Sequence, residues 1–308
     1  MSTTLFFLIP VGFLAIAWSL CFVGCSLDVA GELSSYYQYQ DTVTGTPGLV
    51  AFWPLNETSG TTAADIGPHH FNGTYTTGPN VPAYNAAEQS DAAPGTFTLN
   101  QPNIVAGDAI NNNPNTLNPC VLFNGGYVKV PWHAALGPPL PQPLQFTIEA
   151  WVMPDWTLQD AQSNKSYRAV IASNTPTAFQ GFLLCASPDN LWTLFLGDGS
   201  QNQTTTTGNN QTIVQKSLYF LVVTYDGSKQ QLTLWVNPAD TTQPPDAQVT
   251  TGFVPVASPI PFYIGIGRPD LATPLLPFNG WIQDVAFYNV VLDGNTIETH
   301  YSNGSGIG

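Results

Sequence analysis

Leu221-Val222-Val223-Thr224-Tyr225-Asp226-Gly227-Ser228-Lys229-Gln230-Gln231-Leu232-Thr233-Leu234-Trp235-Val236 is the stretch that decides the fold. Two apolar, β-branched runs flank Asp226-Gly227, and Asp-Gly between alternating runs is the signature of a tight hairpin turn. The segment therefore predicts two antiparallel strands. Outward from it, the same short alternation recurs at Leu49–Trp53, Cys120–Phe123, Tyr127–Val130, Phe146–Val152, Ala169–Ala172, Gly181–Ala186, Leu191–Leu196, Phe262–Gly267 and Trp281–Tyr288. Strands of this kind bury one face each, and two sheets packed face to face hide both. The expectation is an all-β, two-sheet antiparallel sandwich over residues 48–301, with helix only near Leu292–Tyr301 and a short tail at 302–308. Residues 76–119, rich in Pro, Asn, Gly and Thr, read as a long surface excursion. Trp53, Trp151, Trp235 and Trp281 fall inside alternating runs and read as core. Trp132, Trp156 and Trp192 fall near strand ends or turns and are the candidates for an exposed ligand platform.

Composition limits what such a sandwich does. The chain has 308 residues, of which 43% are hydrophobic and only 8% charged, with 27 Gly and 27 Pro. That excludes disorder, collagen and a helical bundle. Six Lys and Arg against 20 Asp and Glu give a formal net charge of -14, which cannot neutralise a phosphate backbone. Nucleic acid is excluded as a partner on that ground.

Residues 1–27 carry no charge, and Leu5–Cys25 is almost wholly apolar, long enough as a helix to cross a bilayer's hydrocarbon. Three readings stand: a retained transmembrane helix, a lipoprotein signal in which Phe22-Val23-Gly24-Cys25 leads to lipidation at Cys25, and a cleaved signal peptide. Each delivers the body across a membrane. The expected arrangement is a single-pass anchor in the cell membrane, a stalk at 28–47 and the sandwich on the periplasmic or extracellular side. With Cys21 and Cys25 in the apolar run, Cys120 and Cys185 remain as a disulfide pair for an oxidising compartment; the alternative is two buried free thiols.

Five segments carry a resemblance: Gly48–Gly60 with Ala64-Asp65 and Asn72–Tyr75, Leu122–Pro131, Phe146–Pro154, Tyr219–Gly227, and Tyr263–Arg268 with Phe278–Tyr288. In this order they resemble the bacterial laminin-G-like domains of the concanavalin A-like lectin/glucanase fold. Glucanases of that fold use two carboxylates. This chain has five glutamates, Glu32, Glu57, Glu88, Glu149 and Glu298, and no Glu-x-Asp-x-x-Glu arrangement around any of them. No Gly-x-Ser-x-Gly elbow is present either, and the expectation is no enzyme activity. His69, His70, His133 and His300 fit no zinc spacing and read as surface imidazoles. The resemblance also implies calcium at a sandwich edge, held by Asp65, Asn72 and Asp284; the alternative has Asp65 capping a turn and Asp284 bonding a loop.

Two functions follow. One is a non-catalytic, membrane-anchored interaction module, an accessory subunit that docks on other protein subunits. The other is a calcium-assisted, carbohydrate-binding surface lectin that takes glycans.

Overall fold

The computed structural model describes residues 38–81, 93–108, 118–137, 145–158, 160, 166–175, 180–200, 202–206, 212–256, 259–269 and 276–306. Its strands are β1 (Leu49–Trp53), β2 (Thr62–Ala63), β3 (Gly73–Thr76), β4 (Asn80–Val81), β5 (Ala93–Pro94), β6 (Thr96–Gln101), β7 (Cys120–Asn124), β8 (Tyr127–Val130) and β9 (Gln145–Pro154). They continue as β10 (Arg168–Thr175), β11 (Gln180–Ala186), β12 (Trp192–Asp198), β13 (Asn202–Thr206), β14 (Tyr219–Asp226), β15 (Gln231–Val236), β16 (Ala247–Thr250), β17 (Phe262–Ile264) and β18 (Asn279–Tyr288). Helix α1 spans Gln38–Gly45 and α2 spans Gly294–Ser305.

Among the described residues the strands form two eight-stranded sheets and a small pair, β4 with β5. The front sheet runs β13-β12-β11-β10-β17-β8-β3-β2, and the back sheet β16-β15-β14-β9-β18-β7-β6 with β1 also on β18. Strand β18 is the spine of the back sheet. One edge pairs with β9 from Gly280↔Pro154 to Tyr288↔Thr147, and the other takes β7 on its first half and β1 on its second. The halves meet at a bulge, where Asp284 is left-handed (φ 54) and its N–H leaves the ladder for the carbonyl of Pro54, 3.1 Å away.

The sandwich expectation holds. Between the sheets lie Trp53, Phe146, Phe182, Phe262 and Phe287, with Trp53 stacked on Phe262 at 5.1 Å. Apolar burial of this kind contributes about 1.5–3 kcal/mol per large side chain. A second cluster covers the outside of the back sheet. Tyr39 and Val43 of α1 and Ile297 of α2 pack there on Trp151, Phe220 and Tyr288. Strand β9 is consequently buried on both faces, which explains why Trp151, on the face opposite Phe146, Ile148, Ala150 and Val152, is apolar.

Four expectations change. The hairpin β14–β15 forms, but its loop is Gly227–Gln230, with Gln230 rather than Gly227 left-handed (φ 49). Asp226 fixes that loop by accepting from the Ser228 N–H at 2.9 Å and its hydroxyl at 2.6 Å. The supposed excursion 76–119 contains β6, an edge strand on β7. Part of the supposed stalk is α1, docked on the sandwich rather than spacing it away. The end of the chain is helical through Ser305, so 302–305 is not a loose tail. The anchor at 1–27, Cys25 included, lies outside the described residues, and no helix among those described is long and apolar enough to cross a membrane.

Candidate ligand-binding site

Two loops meet at one end of the sandwich, and buried hydrogen bonds hold the first of them rigid. Asp65, itself buried, accepts from the main-chain N–H groups of Phe52 (2.7 Å), Gly67 (2.8 Å) and Phe71 (2.6 Å). Its own N–H donates to Asn72 Oδ1 at 2.9 Å. The Trp53 indole donates to the carbonyl of Phe71 at 2.9 Å, and His70 Nδ1 lies 3.1 Å from the carbonyl of Asp65. The loop 64–72 is thereby bolted to β1.

The second loop follows β8 as Pro131-Trp132-His133. His133 accepts from the Ala135 N–H at 3.1 Å and so caps the 3-10 turn Ala134–Leu136. Its ring meets Phe71 at 4.3 Å, and Phe71 stacks on His69 at 5.2 Å with planes 11° apart. His69, Phe71 and His133 thus form a row of rings, with Trp132 beside it in the chain and 46% exposed. Ile66 on the first loop is 44% exposed. On that side of the loop a cleft of about 480 Å³ is lined by Thr44, Thr46, Gly48, Ile66, Pro68 and His70 among others. Exposed apolar rings on a rigid frame are what a soluble protein ordinarily avoids unless something docks there.

Of the three expected platform tryptophans, only Trp132 is exposed. Trp156 is buried, donates its indole N–H to Asn190 Oδ1 at 2.8 Å and lies 4.9 Å beneath the Arg168 guanidinium. Trp192 is buried edge-on against Tyr219 at 5.5 Å. Both strand ends are roofed by neighbouring chain, so nearness to a turn did not mean exposure. The expected disulfide is absent: Cys120 and Cys185 are free and buried. Cys120 opens a strand whose Val121 and Phe123 face the core, and Cys185 packs with Ala169 and Leu183 outside the front sheet. The two thiols therefore face opposite outer sides, with the sandwich between them, far beyond disulfide reach. Burial pushes both thiols well above their ordinary range.

Asp65, Asn72 and Asp284 do not make one ion site. Asp65 and Asn72 are joined, but through a main-chain N–H, and three further N–H groups occupy the Asp65 carboxylate. Asp284 sits fully buried in the β18 bulge, where its charge is felt by Tyr39 and Cys120. Calcium needs six to eight converging oxygens. Among the described residues no group of three or more His, Cys, Asp or Glu could hold a metal.

Glu149, the mid-strand carboxylate, is sealed under the helices. It accepts from Tyr288 at 2.8 Å and at longer range, 3.4 Å, from Tyr39, and it faces His300 Nδ1 at 2.9 Å. Buried there, it has no path to a glycosidic bond. His300 is likewise buried, not the surface imidazole expected. The row His69–Phe71–His133 was not expected from the sequence; the cue was the His-His-Phe turn between β2 and β3.

A family model of the Laminin G 3 type, described as the concanavalin A-like lectin/glucanases superfamily, matches residues 124–298, more than half of the chain. The chain belongs to the concanavalin A-like lectin/glucanases superfamily. No curated protein matches it. Among solved structures, the superfamily fold here is similar to the binding domain of Paraclostridial Mosquitocidal Protein 1, at 13% identity and a TM-score of 0.53, over 83% of this chain and 52% of that one. It is also similar to the receptor binding domain of botulinum neurotoxin C/D mosaic serotype, at 11% identity and a TM-score of 0.50, over 83% and 51%. The chain spans about half the length of both, and at these identities the likeness is one of fold.

Proposed function

We propose that the chain is a non-catalytic binding module whose working face is the ring row His69–Phe71–His133 with Trp132, and that its ligand is a carbohydrate. The observation that carries this reading is Trp132, a large aromatic left open next in the chain to His133, whose ring meets Phe71 on the hydrogen-bonded loop 64–72. A sugar ring presents C–H faces that pack on an aromatic plane, and the imidazoles beside it supply donors and acceptors for hydroxyls. The two similar structures named above are themselves binding domains by description, which agrees with a binding role on this fold. Calcium has no part in the reading, because Asp65 and Asn72 are spent on loop hydrogen bonds.

A glycan array probed with the full chain tests this, with and without chelator. The expected result is a defined set of bound glycans, unchanged by chelator and lost in Trp132→Ala. Silence across the array overturns the carbohydrate reading, and dependence on chelator overturns the calcium-free one.

A second reading concerns location. We propose that the apolar stretch Leu5–Cys25 tethers the module to the outer side of a cell membrane, as an accessory subunit beside other proteins. Its support is that α1, which follows the N-terminal segment, is docked on the sandwich rather than free, so a tether would fix the module's orientation. Mass spectrometry of the intact N-terminus distinguishes a retained helix, an acylated Cys25 and a trimmed chain. Purification in mild detergent tests the subunit role: co-purifying stoichiometric partners support it, and a monomer overturns it.

A further inference from the structure

We propose that the buried pair Glu149–His300, together with the Thr46 and Tyr39 hydroxyls, is a protonation-dependent latch: it holds α1 on the back sheet while His300 is an imidazolium and releases α1 when that proton is lost.

The protonation state follows from hydrogen-bond direction. The Thr46 hydroxyl lies 2.7 Å from the carbonyl of Thr42, which only accepts, so the single hydroxyl proton is committed there. His300 Nε2 is 2.9 Å from the same oxygen and must therefore donate to it. Nδ1 is 2.9 Å from Glu149 Oε2, and Glu149 Oε1 receives both phenols, Tyr288 and Tyr39. Oε2 faces Nδ1 alone, and with Glu149 taken as a carboxylate Nδ1 is a donor as well. Both ring nitrogens then carry protons, with His300 donating to Glu149 on one side and to Thr46 on the other, and Thr46 donating on to Thr42 at the end of α1.

The groups facing the imidazole come from every element around it: Glu149 from β9, Tyr288 and the more distant Asp284 from β18, Tyr39 from α1, and Thr46 just beyond α1. Tyr39, Glu149, Tyr288 and His300 are fully buried. Burial alone would pull the imidazole down, but the charge of Glu149 and its hydrogen bond outweigh it, and the result is raised above the ordinary value. A raised histidine stabilises fully below the ordinary imidazole range, near about 6.5, and that contribution is lost as pH rises through the folded value.

Loss of the proton leaves Nε2 with a lone pair facing the Thr46 oxygen. Thr46 must then part from His300 or turn its proton away from Thr42, which undoes the end of α1. Glu149 meanwhile loses the positive charge that compensated it in a buried site. An eight-residue helix does not persist alone in water, so an undocked α1 melts. What remains to hold it is the packing of Tyr39 and Val43 on Trp151 and Phe220 and the Asn303 amide on the Thr42 hydroxyl at 2.7 Å, against which the loss of the His300 links is set. Melting extends this stretch from about 12 Å to as much as about 27 Å, lengthening the link between the N-terminal segment and the sandwich.

The test is hydrogen exchange of the full chain across pH 7 to 10, corrected for base catalysis. Protection of 38–47 is expected to fall at least about tenfold over that range while 219–236 keeps its own. In Thr46→Val and His300→Gln, protection of 38–47 is expected to be low already at pH 7 and flat with pH. Protection independent of pH in the natural sequence overturns the latch, as does a pH response that survives His300→Gln. Should His300→Gln fail to fold, nitrogen chemical shifts of His300 in the natural protein decide: two protonated nitrogens at pH 7.5 support the latch, and a neutral ring contradicts it.

Discussion

Asp65 shows how a single side chain builds the proposed binding face without touching a ligand. Its three main-chain hydrogen bonds fix the loop that presents His69 and Phe71. Hydrogen bonds to a charged acceptor contribute about 1.5–3 kcal/mol each when buried, and they are not additive. Asp65→Ala is expected to destabilise the chain by about 3 kcal/mol in urea unfolding and to abolish glycan binding. Asp226 offers a cleaner pH signature. Partial desolvation raises its carboxyl, but hydrogen bonds from Ser228 and Lys229 prevail and bring it down to about 2 from an ordinary 3.8. A depressed carboxyl stabilises above its unfolded value, and the gain vanishes as pH falls through the folded one. The stability advantage over Asp226→Asn should therefore be level above pH 5 and shrink towards zero near about pH 2, as thermal melts at stepped pH would show. At this scale the sequence was least informative. Trp132, Trp156 and Trp192 all sit near strand ends, and only packing distinguishes the open ring from the two beneath neighbouring chain.

Elements were more legible, because period-two alternation is local. The strands of both sheets follow it, and α2 was expected in place, though it begins after Asp293 and runs to Ser305. The Asp293 side chain accepts from the Thr296 N–H at 2.8 Å, an N-cap. Asp293→Ala is expected to lower stability by about 1 kcal/mol. Gly304 marks where α2 meets the sheet: a Cβ there would fall 2.3 Å from the Trp151 ring. Gly304→Ala is expected to cost about 1–3 kcal/mol through overpacking, read from the denaturation midpoint, with the hairpin β14–β15 unaffected in exchange. Helix α1 was not legible. Its composition, Gln-Tyr-Gln-Asp-Thr-Val-Thr-Gly, has weak helical propensity, and it forms because Tyr39 and Val43 bury against the sheet. Strand β6 escaped notice because its alternating Thr-Phe-Thr-Leu lies on an edge with polar neighbours.

The molecule as a whole is a two-sheet sandwich with one face clad by helices and one end carrying exposed rings. The cladding removes Glu149 and His300 from solvent, and the rigid loop end keeps Trp132 in it. The exposed rings at the loop end and the buried Glu149–His300 pair are distinct clusters, and the point where they approach is Thr46, which lines the cleft beside the first loop and also bonds His300. The most direct measurement is calorimetric titration of an array-positive glycan into the natural chain and into Trp132→Ala, with the melting temperature of each. Binding is expected to weaken by about tenfold or more, the effect of an aromatic contact of about 1.5 kcal/mol, at an unchanged melting temperature. Equal affinity in the two proteins would contradict it.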